Sequence, residues 1–155
     1  MRNLKFALMG TVLLAAVASP QGRDFVPGMD ELTMTTKIGS FKVVATGKDL
    51  PVGKLDVSFT GTMLITGAEH APVVTGNLKQ EYRNDKFKKV IYHGTGKITI
   101  DGKFESVQWF GRDMSGTFKG HGLVRIFGEF DKDLNTGYYW YGSDTKTKYD
   151  WGTYG

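Results

Sequence analysis

The sequence predicts an all-β fold: a small antiparallel up-and-down barrel of about eight strands, with a bent β-sandwich as the alternative. Three observations predict it. Apolar residues recur at every second position along most of the chain, and helical periodicity is nearly absent. Glycine-bearing pairs punctuate the apolar runs as hairpin turns do. Several runs are long and carry glycines inside, as strands that must bend do. Closing such a sheet on itself also removes exposed edges.

The first stretch is read apart from the fold. Arg2 and Lys5 make a short positive start, and residues 6–18 form an apolar run without charge. Ala16-Val17-Ala18 supplies the small-x-small pattern of a cleavage site, followed by Ser19 and Pro20. This is the layout of a secretory signal peptide over residues 1–18. The run is shorter than the about 20 residues that a spanning helix needs. Residues 19–30 are then an extended segment, and residues 31–155 a single antiparallel β domain. No second run of spanning length follows, so the sequence predicts a protein that is not integral to a membrane.

There is no cysteine, which excludes disulfides and a lipid attached through a cysteine. The core alone must hold the fold. Cysteine-free export and the absence of an Asn-x-Ser/Thr sequon fit a bacterial periplasmic or extracellular address. Loss of Arg2 and Lys5 takes the 20 basic side chains to 18, against 16 acidic, a net charge of +2. So small an excess gives no reason to expect a nucleic-acid partner. The locally basic stretch 79–97 contains Glu81 and Asp85 and reads as a solvated sheet face.

The clearest strand is residues 55–65. Leu55, Val57, Phe59, Met63 and Ile65 point one way with Gly61 among them; Asp56, Ser58, Thr60 and Thr62 point the other. Leu32, Met34 and Ile38 alternate with Glu31, Thr33, Thr35 and Lys37, and Phe41, Val43 and Ala45 follow. Ile98 and Ile100 alternate with polar neighbours. So do Phe118, Val124, Ile126 and Phe130, on a run that holds Gly120, Gly122 and Gly128. Gly39-Ser40, Gly76-Asn77, Asp101-Gly102 and Asn84-Asp85 are the turn candidates, with loops at 68–72 and 131–137. Most strands should then join their sequence neighbours. A weak echo links Thr46-Gly47-Lys48 and Gly53-Lys54 with Thr95-Gly96-Lys97 and Gly102-Lys103, as duplicated hairpins would.

No motif carries catalysis. His70, His93 and His121 are the only histidines, without paired metal-ligand spacing. Asp113, Ser115 and His121 share parity, but six residues of strand separate the serine and histidine by roughly 20 Å, beyond the reach a triad needs. Asp131, Asp133 and Asn135 place oxygens at alternating positions, like the start of a calcium loop. Thr136 then stands where the turn glycine belongs, and Gly142 where the closing acid belongs. A solvated loop is the plainer reading. No cofactor is expected, and an enzyme is the least favoured class.

The most distinctive feature is the aromatic C-terminus: Tyr138, Tyr139, Trp140 and Tyr141 in succession, then Tyr149, Trp151 and Tyr154. A strand there carries rings on both faces. They can cover a barrel mouth or stack on a sugar or a second chain. The leading expectation is a binding protein for a small or carbohydrate-like ligand. Trp109, Phe118, Trp140, Tyr141 and Trp151 would supply contact area, and Arg112, His121 and Arg125 would orient a polar group. The second is a structural envelope or matrix component that self-associates through strand edges and the aromatic tail.

Overall fold

The computed structural model describes residues 22–25, 31–128, 133, 136–143 and 146–150. The leader at 1–18 and the ring of Trp151 lie outside the described residues, as do Asp131 and Asn135 of the calcium-like string.

Every regular element among the described residues is a strand: β1 Gly22–Phe25, β2 Glu31–Val44, β3 Val52–Thr66, β4 Val73–Asn84, β5 Lys89–Lys103, β6 Ser106–Gly128, β7 Tyr138–Tyr141 and β8 Tyr149–Asp150. They form one sheet in the order β4-β5-β3-β6-β2-β7-β8, with β1 on β6. This corrects the expected up-and-down connectivity. Only β4-β5 and β7-β8 are neighbours in both sequence and sheet. As β2 rises from Glu31 to Val44, its β6 partners fall from Lys119 to Ser106, so this pairing is antiparallel like the rest.

The long strands curl almost into rings. Ser40 pairs with both Phe110 and Phe127 of β6. These two lie 17 positions apart (127 − 110), ~56 Å of extended chain, yet they flank a single strand and so stand only ~10 Å apart. β5 behaves the same way. Gly67 N–H donates to Lys88 O (2.9 Å) and Glu69 N–H to Lys103 O (2.8 Å), so residues two apart reach both ends of a 15-residue strand. Around β3, Phe104 N–H donates to Pro51 O (3.1 Å) and Glu105 N–H to Thr66 O (2.9 Å).

Such curvature needs strands without side chains where backbones crowd. Gly94, Gly61, Gly111, Gly39 and Gly128 are successive cross-strand partners, a glycine seam across the sheet. At Gly61 the backbone has φ +155°, and an added Cβ would lie 2.2 Å from Phe110 O. At Gly111 it would lie 2.1 Å from Thr60 O. No L side chain fits either place.

The inner face carries the core. Leu55, Val57, Phe59, Met63 and Ile65 of β3 are all buried, as their alternation requires. Phe41 packs on Trp109 with ring centroids 4.2 Å apart, and Phe104 meets Phe118 edge-on at 6.4 Å. Ile38 departs from expectation: Leu32 and Met34 are buried, but Ile38 is 50% exposed. Alternation changes phase between Thr36 and Phe41. The extra residue on β6 near Asp113 (φ +51°) does the same there, shifting the β3 register between Ser58 and Thr60. Thr36, buried at this phase change, donates from Oγ1 to Ile38 O at 3.0 Å.

Three expected turns are also corrected. Gly39-Ser40, Gly76-Asn77 and Asp101-Gly102 all lie inside strands. A reversal occurs instead at Thr46 and Asp49, which exchange two backbone bonds of 3.0 Å, while the expected turn at Asn84-Asp85 is present at 85–88, where Asn84 Oδ1 accepts from Phe87 N–H at 3.2 Å. The echo is not a duplication. Gly53 and Gly102 are direct cross-strand partners, and Thr46 sits in a turn while Thr95 sits in mid-strand.

Glu69 pins the connection at 67–72. Its Oε2 accepts from Lys103 N–H at 3.0 Å, and that bond holds the carboxyl below its ordinary pKa. A depressed carboxyl contributes stability that is present above its unfolded-state pKa and lost as pH falls through the folded-state value. Protection of the Lys103 amide from hydrogen exchange should therefore fall in acid, below the ordinary carboxylate range. Glu69→Gln should show reduced protection at neutral pH, with no further fall in acid. Unchanged protection in both proteins across this range would remove the pin.

Candidate functional site

β7 is placed by β2. Thr35 pairs with Tyr138, Met34 with Tyr139, Thr33 with Trp140 and Leu32 with Tyr141. Alternation then splits the four rings. Tyr139 and Tyr141 share the inner face with Met34 and Leu32; Tyr139 is 8% exposed, and Tyr141 packs on the core. Tyr149 of β8 completes an inner trio. It stacks on Tyr139 at 5.3 Å and lies 5.9 Å from Tyr141, while Tyr139 and Tyr141 meet edge-on at 5.9 Å. This trio caps one end of the core.

Tyr138 and Trp140 point outward, half-buried and two residues apart on one strand face, hence ~7 Å from each other along the strand. Lys148 Nζ lies 5.0 Å from the Trp140 ring centroid and 5.7 Å from that of Tyr138. Such a contact at an exposed site contributes about 0.5–1 kcal/mol, little enough for a ligand to displace.

Beside these rings runs a polar face. From Trp140 the cross-strand partners are Thr33, Thr117, Asp56 and Thr99; from Tyr138 they are Thr35, Ser115, Ser58 and Lys97. Five strands thus present two parallel rows, six of whose members are hydroxyl side chains beside the rings, spaced ~4.8 Å from strand to strand. Some are oriented already. Thr99 Oγ1 donates to Asp56 Oδ1 at 2.5 Å, and Lys54 Nζ lies 3.5 Å from Asp56 Oδ2. Thr60 and Thr95 share a 3.0 Å bond, and Thr62 Oγ1 meets His93 Nδ1 at 2.7 Å.

The ligand residues read from the sequence do not converge on one place. Trp109 and Phe118 are fully buried among core side chains. Tyr141 is on the inner face, and Trp140 on the outer. Arg112 and Arg125 are exposed, and His121 is half-exposed opposite Val52. Arg112 Nη1 lies 3.9 Å from Asp113 Oδ2. Among the described residues no group of His, Cys, Asp or Glu is arranged to hold a metal ion, and Asp133 is exposed.

The ligand set expected from the sequence omits Tyr138, Lys148, Thr33, Thr35, Ser115 and Thr117. The signal for Tyr138 was its shared parity with Trp140. Nothing in the sequence showed which strand would lie beside β7, so the hydroxyl rows could not be seen. Comparison with protein-family models, with characterised proteins and with solved structures returned no match.

Proposed function

We propose that this chain is an exported, non-enzymatic binding domain that holds a carbohydrate on its outer sheet face. Sugar rings stack on Tyr138 and Trp140, and their hydroxyls bond to Thr33, Thr35, Ser115 and Thr117. The observation that carries the reading is the pair of outward rings set directly beside two hydroxyl rows. Pyranose faces are apolar and their rims polar, so recognition wants an aromatic platform beside hydrogen-bonding groups. The leader-like start of the sequence supports an extracellular or periplasmic address. Closure of the sheet into a barrel through β6 and β2 would make the support rigid. The pairing of residues 39–44 on both edges by β6 favours it.

The test is affinity electrophoresis of the full chain through gels cast with a soluble β-glucan, a soluble chitin derivative or a uronic-acid polymer. Retardation by at least one polymer is expected. Trp140→Ala should weaken that interaction about tenfold or more, the effect of ~1.4 kcal/mol, with folding intact because the ring lies outside the core. Equal mobility of wild type and Trp140→Ala on every polymer would refute the reading.

Self-assembly through β4 is a second reading. β4 ends the strand order, and Val73 (63%), Phe87 (58%) and Tyr82 (46%) are exposed on or beside it. Lys79, Glu81 and Arg83 along the same strand work against edge-to-edge pairing. A concentration-independent monomer in sedimentation would exclude it.

A further inference from the structure

A concavity lies away from the aromatic face, between the connection at 67–72 and the β4-β5 hairpin. Its volume is about 240 Å³. Ile65, Ala68, Val90 and Tyr92 give it an apolar floor. That floor is continuous with the interior, since Ile65 is fully buried and the other three pack against the core. The rim is cationic. Arg83, Lys88 and Lys89 stand around it with His70, and the one carboxylate, Asp85, is engaged by Arg83 Nε at 2.6 Å.

Both walls are held. Gly67 N–H donates to Lys88 O at 2.9 Å, tying the connection to the hairpin, and Glu69 and Lys103 exchange two bonds on the connection's far side. Asn84 Oδ1 fixes the turn through Phe87 N–H. A concavity held in this way loses little freedom when a ligand enters. Tyr92 has its phenol pKa raised by partial burial, a shift the Arg83 charge only partly offsets, so at neutral pH it is a neutral donor at the floor.

An apolar floor under three cations and a single engaged carboxylate selects for a molecule with an apolar body and one negative end. The volume lies below the ~300–1,000 Å³ of drug-sized sites, so the molecule is small. We propose that this cleft binds a small monocarboxylate with an aliphatic or aromatic body. The body lies on Ile65, Ala68, Val90 and Tyr92, and the carboxylate lies between Arg83, Lys88 and Lys89. The inference is independent of the carbohydrate reading, because no residue is shared with the Tyr138 and Trp140 face.

The test is titration of the full chain with sodium octanoate and, in parallel, octanamide, followed by amide chemical shifts and calorimetry. Octanoate should bind saturably, with its largest shifts at Ile65, Ala68, Val90 and Tyr92, and at least about tenfold more tightly than octanamide. Lys88→Gln with Lys89→Gln, at two exposed positions, should weaken octanoate about tenfold and leave octanamide unchanged. Benzoate in place of octanoate tests the aromatic body. Trp140→Ala should bind octanoate as the wild type does, so the two sites can fail separately. Equal affinity for acid and amide, shifts elsewhere on the protein, or no saturable binding of either acid would overturn the proposal.

Discussion

Gly61→Ala should lower the unfolding free energy by about 3–5 kcal/mol, a large share of the 5–15 kcal/mol typical of a domain. The added methyl carbon would sit 2.2 Å from Phe110 O and 2.8 Å from Gly111 Cα. Both are backbone atoms that cannot swing aside. The φ of +155° adds strain of order 1–3 kcal/mol for any L side chain. Gly47→Ala is the control. Gly47 also has positive φ (+59°), but nothing lies within 4 Å of its added carbon, so only about 1 kcal/mol is expected. Gly61 and Gly111 face each other across one gap, so Gly61→Ala with Gly111→Ala should cost less than the two single changes combined. Urea unfolding followed by circular dichroism reads all four proteins. A Gly61→Ala protein within 1 kcal/mol of wild type would mean that the seam is not crowded.

Trp109→Ala should cost about 3–5 kcal/mol, because it removes the largest fully buried side chain among the described residues and leaves Phe41 facing a void. Trp109→Phe should cost less than half as much. The reason is size, because phenylalanine still packs on Phe41. Both changes also remove Trp109 Nε1–H, a donor buried without a hydrogen-bond acceptor among the described residues. Stranding that donor costs the native protein about 1–3 kcal/mol, so its removal tempers both losses alike. If the two variants are equally destabilised, a ring at position 109 gains nothing from Phe41.

The core of β3 was legible because alternation is a local property. Leu55, Val57, Phe59, Met63 and Ile65 needed no partner strand to declare their face, and Trp109 with Phe110 likewise split inward and outward as the period demands. Ile38 was misplaced because β2 changes phase between Thr36 and Phe41, in step with β6 with which its register is unbroken there, so a residue in line with Leu32 and Met34 falls on the outer face. Gly39-Ser40, Gly76-Asn77 and Asp101-Gly102 have turn composition, yet Gly76 serves a close backbone approach inside a strand, where an added Cβ would lie 2.8 Å from Gly96 Cα. Glycine answers both needs, since a tight turn and a close backbone crossing each exclude a Cβ. The candidate sites divide in the same way. The aromatic run at 138–141 could be read as two-faced, but Thr33 and Thr35 reach it only through pairing across about a hundred residues. The cleft joins the 67–72 connection to the 84–89 hairpin through a bond between Gly67 and Lys88, and no spacing announces it.

By itself, then, the sequence determined that this protein is built of strands, which side chains on each regular stretch face inward, and that its core holds without cysteine. Side-chain period and composition act within a few residues, and one chain carries them in full. The tertiary structure decided the strand order, the near-ring curvature and the meeting of Tyr138 and Trp140 with their hydroxyl neighbours. Those depend on which backbones approach within a hydrogen bond of one another, a choice made by the whole sheet at once.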